Sequence, residues 1–217
     1  MKESKTSNII DHLKEFNRKE RFHLIGQLLG NIEFKLSQDK LKEIFDLIEL
    51  QIPKNYFSAM DYHLDWIYAS LILTKDNNDE KKYKIEKNCI KATQEDVDFI
   101  IAFLDYSRQT HIIMIEAKGD TSFTNKQIIS KAKRLQAIFG KKGDRFKNVT
   151  PYFLLCSPKK PKNLKLEEIP SFMKNKNQDD IIWFELNLPK YLKKVTRCNE
   201  EKNKSKDGKY WKVKRIK

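Results

Sequence analysis

Two short apolar runs lying close together constrain the fold of this chain more than any other feature of its sequence. Residues 97–105 (VDFIIAFLD) and 111–118 (HIIMIEAK) are rich in β-branched side chains, and the polar stretch 106–110 (YSRQT) joins them. Such a pattern predicts an antiparallel β-hairpin. Because the two runs are almost continuously apolar, we expect other elements to cover both faces of the hairpin.

Helical patterns flank the predicted hairpin. Apolar residues recur at helical spacing from the N-terminus to about residue 74, and again over residues 124–139. Within the first region, residues 56–74 are predicted to form one helix from the stripe of Phe57, Met60, Leu64, Ile67 and Leu71.

Two further apolar runs, residues 149–156 and 181–188, indicate additional strands. The sequence therefore predicts an α/β fold with a mixed central β-sheet flanked by helices. We divide the chain into an N-terminal helical segment (1–55) packed on the core, a core domain (56–188) and a basic C-terminal segment (189–217).

The charge balance favours an anionic partner. The chain carries 44 basic and 30 acidic residues, a net charge of +14, which attracts polyanions such as DNA or RNA. Residues 190–217 alone hold twelve basic and three acidic residues, a net charge of +9. An anionic membrane surface or a ribosome fits the same charge, so charge supports a nucleic-acid partner without selecting it.

The sequence indicates a cytoplasmic protein without a membrane partner. No apolar run approaches the roughly 20 residues that span a bilayer, and the start MKESKTSN lacks the apolar stretch of a signal peptide. Cys89, Cys156 and Cys198 are widely spaced, which fits free thiols rather than a disulfide framework or a metal site.

Acidic residues and a lysine are predicted to converge at one end of the hairpin. If Asp98 pairs with Glu116, the turn falls at Ser107, inside the polar stretch. Side chains alternate along a strand, so Lys118 shares the face of Glu116 and Asp96 shares the face of Asp98. A divalent cation relieves repulsion between neighbouring carboxylates, and Mg²⁺ prefers oxygen ligands. The pattern therefore predicts Mg²⁺ bound by Asp98 and Glu116, with Lys118 orienting or deprotonating a water molecule.

These residues resemble the PD-(D/E)XK nuclease superfamily, which includes restriction enzymes, repair nucleases and recombination exonucleases. The resemblance lies in an acid at the start of one strand, an apolar strand ending in IEAKGD, and a following helix. It covers about residues 56–157, in the order helix, strand, hairpin, helix, strand. It implies that Asp98 and Glu116 hold Mg²⁺, for which Mn²⁺ substitutes, and that Lys118 assists attack of water on a phosphodiester. Asp96 is the alternative to Asp98.

The resemblance implies further site residues and a partner. Some branches carry a Gln on the helix after this strand and a second residue four positions on, and Gln127 and Lys131 occupy those positions in QIISK. Other branches add an acid from the first core helix, a role for which Asp65 fits better than Asp61. Restriction-type members pair to cut two strands, so the resemblance also implies a homodimer.

The basic C-terminal segment adds candidate contacts to nucleic acid. In GKYWKVKRIK, Lys209 and Lys212 flank Trp211, so that phosphate contacts can combine with base stacking. The same run also fits a solvated terminal strand whose aromatic residues pack on the domain.

The sequence thus predicts a Mg²⁺-dependent nuclease with DNA as the expected substrate. Two other functions fit the same residues. One is a catalytically inactive module of the same fold that binds nucleic acid, and the other is an interaction protein whose residues 1–55 recruit a partner. Glu116 and Lys118 also fit a solvated strand end without chemistry.

Overall fold

The structure, a computed structural model, describes residues 8–76, 81–86, 88–92, 95–175, 180–189 and 191–215. In this part of the chain a central sheet has the spatial order β1-β2-β3-β4-β5. Its strands are β1 (Phe57–His63), β2 (Asp96–Leu104), β3 (Thr110–Ala117), β4 (Val149–Ser157) and β5 (Ile182–Glu185). The β1–β2 and β2–β3 pairs are antiparallel, and the β3–β4 and β4–β5 pairs are parallel. The predicted mixed sheet is therefore confirmed.

Three of the five α-helices in the described residues begin at a side chain that caps them. The five helices are α1 (Ile9–Phe16), α2 (Glu20–Leu28), α3 (Gln38–Leu47), α4 (Leu64–Leu73) and α5 (Asn125–Phe139), with short 3-10 helices at Leu166–Glu168 and Ser171–Met173. Ser37 accepts a backbone hydrogen bond at the start of α3, and Thr124 does the same for α5. None of the helices in the described residues has the length and apolar character needed to cross a membrane.

Helices cover both faces of the sheet, which is why the central strands are apolar along their length. Helices α1, α4 and α5 cover one face, where the apolar cluster includes Leu13, Ile67, Leu135, Ile100 and Met114. Helix α3 covers the other face, in a second cluster that includes Ile44, Phe45, Ile101 and Ile113. The described helices of residues 1–55 therefore contribute to both sides of the core.

Strands β2 and β3 pair in the register that the sequence predicts. Phe99 faces Ile115 in the last pair of this ladder, and Asp98 and Glu116 are the next residues on the two strands. The turn is held by Asp105, whose Oδ1 accepts three hydrogen bonds from residues 107 and 109. This register brings the predicted site residues to the open end of the hairpin.

The single helix predicted over residues 56–74 is wrong in its first half. Strand β1 ends at His63, and α4 begins at Leu64. The free edge of β2 offers backbone hydrogen bonds to residues 57–63. The apolar residues in this short stretch fit the spacing of a helix or of a strand, so the pairing with β2 decides in favour of a strand. Asp61 therefore lies on a strand, not one helical turn before Asp65.

Residues 191–215 form a separate unit, which we call the C-terminal arm. Strand β6 (Lys193–Cys198) pairs antiparallel with β7 (Tyr210–Arg215), and these two strands form their own sheet. Among the described residues, no arm side chain belongs to either apolar cluster. An ion pair between Lys194 and Asp120 joins the arm to the loop after β3. Positions 190, 216 and 217 of the predicted basic segment lie outside the described residues.

Candidate functional site

The residues predicted to bind a metal ion lie at the open end of the β2–β3 hairpin. Asp98 on β2 is exposed, and Glu116 on β3 is half-buried. Lys118 follows β3 directly, and its backbone N–H donates to the carbonyl of Cys156 at 2.8 Å. This bond keeps the end of β3 aligned with β4, so Glu116 and Lys118 leave the sheet at a fixed edge.

Asp98 occupies an irregular position in β2. Val97 packs in the same apolar cluster as Ile100, although strict alternation would place them on opposite faces. On the neighbouring strand, Asp61 has a φ of 50° and interrupts the β1–β2 ladder. The Asp98 carboxylate turns toward β3, where its Oδ2 accepts a hydrogen bond of 2.6 Å from the Ala117 N–H. The distortion therefore brings this carboxylate against β3.

The Glu116 carboxylate is largely buried and incompletely bonded. Its Oε2 lies 3.2 Å from Nζ of Lys131 on α5, and no other described residue donates a hydrogen bond to it. Burial raises the pKa of Glu116, the Lys131 charge opposes this shift, and the Asp98 charge adds to it. Glu116 therefore retains acceptor capacity that a cation or a proton would use.

A pocket of about 330 Å³ opens beside Glu116. Lys118, Gln127 and Lys131 also line it, so α5 brings two of the predicted residues to the end of β3. Asp98 approaches β3 from the β2 side and does not line this pocket. The structure thus gathers four of the predicted site residues around one space, while Asp98 contacts the end of β3 at the Ala117 N–H.

Asp96, the alternative to Asp98, is engaged by two other side chains. Nζ of Lys19 lies 2.9 Å from its Oδ2, and Nδ1 of His63 lies 3.1 Å from its Oδ1. Burial lowers the pKa of His63, although the Asp96 charge acts in the opposite direction. The Asp96 carboxylate thus has a cationic partner within the protein, yet its Oδ1, like Glu116 Oε2, is buried without a hydrogen bond from the described residues, so the choice between Asp96 and Asp98 as metal ligand stays a prediction.

Asp65 takes part in the packing of α4 against α5. Its carboxylate pairs with Arg134, which is only 1% exposed, and accepts a hydrogen bond of 2.8 Å from the Ala92 N–H. Asp61 pairs with Arg21 at 2.9 Å. A role for Asp65 in metal binding stays a prediction, and a metal ion would have to displace this ion pair.

The donor atoms at the end of the hairpin fit Mg²⁺ in kind. Asp98 and Glu116 supply carboxylate oxygens, and Glu116 Oε2 is buried without a hydrogen bond from the described residues. Among those residues, no three side chains of the types that ligate metals converge on one point. Mg²⁺ commonly binds through one or two carboxylates and keeps several waters, so two protein ligands are compatible with its coordination.

The arm residues predicted to contact nucleic acid lie outside the pocket beside Glu116. Trp211 is 69% exposed on β7, and Lys209 immediately precedes that strand. Trp211 and Lys212 point to opposite faces of the arm because neighbours alternate along a strand. Nζ of Lys212 donates to the carbonyl of Lys202, inside the arm itself.

Sequence reasoning missed the charged residues that reach the site from distant segments. Lys19 bonds to Asp96 across 77 positions, and Arg134 bonds to Asp65 across 69. Glu95 lines the same pocket as Glu116. No periodic pattern connects residues so far apart, so only the folded chain identifies them as neighbours.

The chain was compared with models of known protein families and with curated proteins, and neither comparison gave a match. A functional conclusion for this fold therefore depends on the geometry and chemistry of its site.

Proposed function

We propose that this chain is a Mg²⁺-dependent nuclease that hydrolyses phosphodiester bonds of nucleic acid, with DNA as its expected substrate. The observation that carries this proposal is the hairpin register, whose final pair, Phe99 with Ile115, brings Asp98 and Glu116 to the open end of β2 and β3, where the Asp98 carboxylate accepts a hydrogen bond from the Ala117 N–H. The incompletely bonded Glu116 oxygen adds support, because a buried carboxylate is costly unless a cation or proton completes its bonding.

Each residue of the site has a role that follows from its position. Asp98 and Glu116 would hold the metal ion, which when bound supplies positive charge to the phosphate and lowers the pKa of water. Lys118, at the end of β3, would orient water or balance the negative charge that grows on the phosphate. Gln127 and Lys131 line the same pocket and offer N–H donors to phosphate oxygens.

The order of elements supports the resemblance to PD-(D/E)XK nucleases. Helix α4, the β2–β3 hairpin, α5 and the parallel strand β4 follow one another along the chain. The predicted order is wrong at one point, because β1 precedes α4 instead of following it. Shared architecture does not establish activity, so this agreement is secondary to the site itself.

Basic side chains border the approach to the site. A cleft of about 440 Å³ lies between the loop after β3, at Gly119 and Asp120, and the loop after β4 that carries Lys159, Lys160 and Lys162. These lysines would attract the phosphate backbone of a nucleic acid to the edge of the sheet at which Lys118 lies. Cys89, Cys156 and Cys198 are buried and form no disulfide among the described residues, which fits the reducing cytoplasm in which we place the protein.

A cleavage assay tests the proposal directly. Plasmid DNA and single-stranded DNA are incubated with Mg²⁺ and the wild-type chain, Glu116→Gln or Lys118→Met. We expect each substitution to slow cleavage by about 100-fold or more, the scale of a lost acid–base or charge-stabilising group. Glu185→Gln, an exposed acid on β5, is the matched control. Cleavage that is unchanged in both site variants refutes the assigned site.

Binding of nucleic acid without cleavage is the second candidate function. Lys131 already lies against Glu116, and no triad of metal-ligating side chains converges in the described residues. This candidate predicts salt-dependent binding of DNA, no turnover, and no effect of Mg²⁺ on thermal stability. That combination of results would select it over the nuclease.

A further inference from the structure

One face of the C-terminal arm is apolar, basic and exposed to solvent. Cross-strand partners lie on the same face of a two-stranded sheet. We call one set of partners the outer face: Lys193 with Arg215, Val195 with Val213, and Arg197 with Trp211. The opposite face carries Lys194, which pairs with Asp120 of the domain, and Cys198, which is buried.

The apolar side chains of the outer face are exposed to solvent. Val195 is 70% exposed, Trp211 is 69% exposed and Val213 is 50% exposed. Nε of Arg197 donates to the carbonyl of Gly208, which fixes the guanidinium on the strand next to Trp211. The face therefore presents a flat ring beside a cation that is held in place.

The charge of the arm strands is entirely positive. Residues 193–198 and 210–215 contain six basic residues and no acidic residue, while Glu200, Glu201 and Asp207 lie in the connection between the strands. A surface that combines exposed rings with uncompensated positive charge is complementary to a polyanion that carries flat apolar groups. Nucleic acid with unpaired bases has this chemistry, since each base offers a face for stacking and each phosphate a negative charge.

The arm is connected to the edge of the sheet that carries the proposed site. Asp120, the partner of Lys194, lies two residues after Lys118. It also lines the basic cleft between the loops after β3 and β4. The opposite face of the arm therefore meets the residue that borders this cleft, and the outer face lies on the other side of the same two-stranded sheet.

We propose that the outer face of the C-terminal arm binds single-stranded nucleic acid by stacking an unpaired base on Trp211 and contacting phosphates through Arg197, Lys193 and Arg215. This inference rests on the proposed function, which supplies nucleic acid as the class of ligand. It narrows that class to segments whose bases are unpaired. Bases in a duplex are already stacked on one another, so their faces are not available to Trp211. Lys212 lies on the opposite face of the arm from Trp211, and its contact with nucleic acid stays a prediction.

Equilibrium binding in EDTA separates this inference from cleavage. A fluorescein-labelled 20-nucleotide single strand and the matching duplex are titrated with the full chain, and anisotropy is recorded. Trp211→Ala should weaken binding of the single strand by about tenfold, the scale of one lost stacking contact, and change binding of the duplex less than twofold. Trp211→Phe, which keeps a ring, should restore most of the loss. Tyr106→Ala is the matched control, because Tyr106 is 97% exposed at the opposite end of the hairpin.

The charged residues of the outer face are tested by the salt dependence of binding. Arg197→Gln should weaken binding of the single strand and flatten its dependence on salt, whereas Arg108→Gln, an exposed arginine in the β2–β3 turn, should not. Phosphatidylserine vesicles are the second probe. If Trp211→Ala abolishes vesicle binding and leaves the oligonucleotide unaffected, the arm is a membrane contact and the inference is overturned.

The two proposals fail in different ways. Single-strand affinity that is equal in wild type and Trp211→Ala overturns the role of the outer face, even if cleavage depends on Glu116. Binding that depends on Trp211, with no cleavage by the wild type in Mg²⁺, overturns the nuclease and keeps the outer face. Circular dichroism melts of each variant confirm that the chain remains folded.

Discussion

Nζ of Lys131 lies 3.2 Å from Oε2 of Glu116, and the same ammonium group donates to the backbone carbonyl of Asp96. One side chain of α5 therefore contacts the ends of both β2 and β3. It places a positive charge where the proposed metal ion would also interact with Glu116. The balance between this ammonium and a divalent cation determines how the site responds to pH and to metal.

Removal of the Lys131 charge should change the pH dependence of cleavage. That charge lowers the pKa of Glu116 against the larger effect of burial, so Lys131→Met should raise the pKa further. We expect the acidic limb of kcat/KM to move to higher pH, because the free site then needs a higher pH to ionise Glu116. Lys133→Met, an exposed lysine on the same helix, is the control. An acidic limb that stays in place would contradict the assigned contact.

Replacement of Glu116 by glutamine should stabilise the fold at neutral pH. The folded-state pKa of Glu116 is raised above its ordinary value of 4.5, chiefly by burial. The stability associated with this group is therefore present below pH 4.5 and is lost as the pH rises through the folded pKa. Glu116→Gln should melt at a higher temperature than the wild type at pH 8, and the difference should shrink toward pH 4. If the difference in melting temperature instead grows as the pH falls, the predicted sign is wrong and burial does not raise the pKa of Glu116.

Divalent cations should stabilise the wild type through Asp98 and Glu116. A ligand that binds only the folded chain adds about 2.7 kcal/mol at 100 times its Kd. Thermal melts in Mg²⁺ and in Mn²⁺ should therefore shift upward relative to melts in EDTA, and both Asp98→Asn and Glu116→Gln should lose the shift. Asp39→Asn, an exposed acid on α3, should keep it. An equal shift in all four proteins would indicate nonspecific ion effects.

Arg134 should be essential for stability. It is 1% exposed, pairs with Asp65, and lies 3.7 Å from Glu95. Arg134→Met leaves two carboxylates without their buried partner, which costs about 3 kcal/mol or more. Urea denaturation measures this loss, with Lys133→Met as the neighbouring control. If Asp65→Asn instead abolishes cleavage and leaves stability intact, Asp65 acts as a metal ligand rather than as a partner of Arg134.

The hairpin could be predicted from sequence because its information is local. The polar stretch around Ser107 fixes the turn, and the turn fixes a register that brings Asp98 and Glu116 to the same end of the hairpin. Strand β1 could not be predicted, because residues 57–63 fit a helical stripe until the edge of β2 is available to pair with them. The contacts of Asp96 with Lys19 were equally hidden, since they join segments whose proximity only the folded sheet creates.

The side chains that share a face of the arm could not be predicted from sequence either, although they are closer together in the chain. Lys209, Trp211 and Lys212 are close in sequence, yet the strand period separates Lys212 from Trp211 and brings Arg197 beside the ring. The cross-strand partner was not evident, because the connection between β6 and β7 is eleven residues long, from 199 to 209. A loop of that length gives no turn signal that fixes the register.

The arm forms its own sheet and shares neither apolar cluster of the domain among the described residues. Substitutions on its outer face therefore leave the folding core untouched. If the arm binds nucleic acid as we propose, substitutions of these side chains would change its ligand with little effect on the stability of the domain.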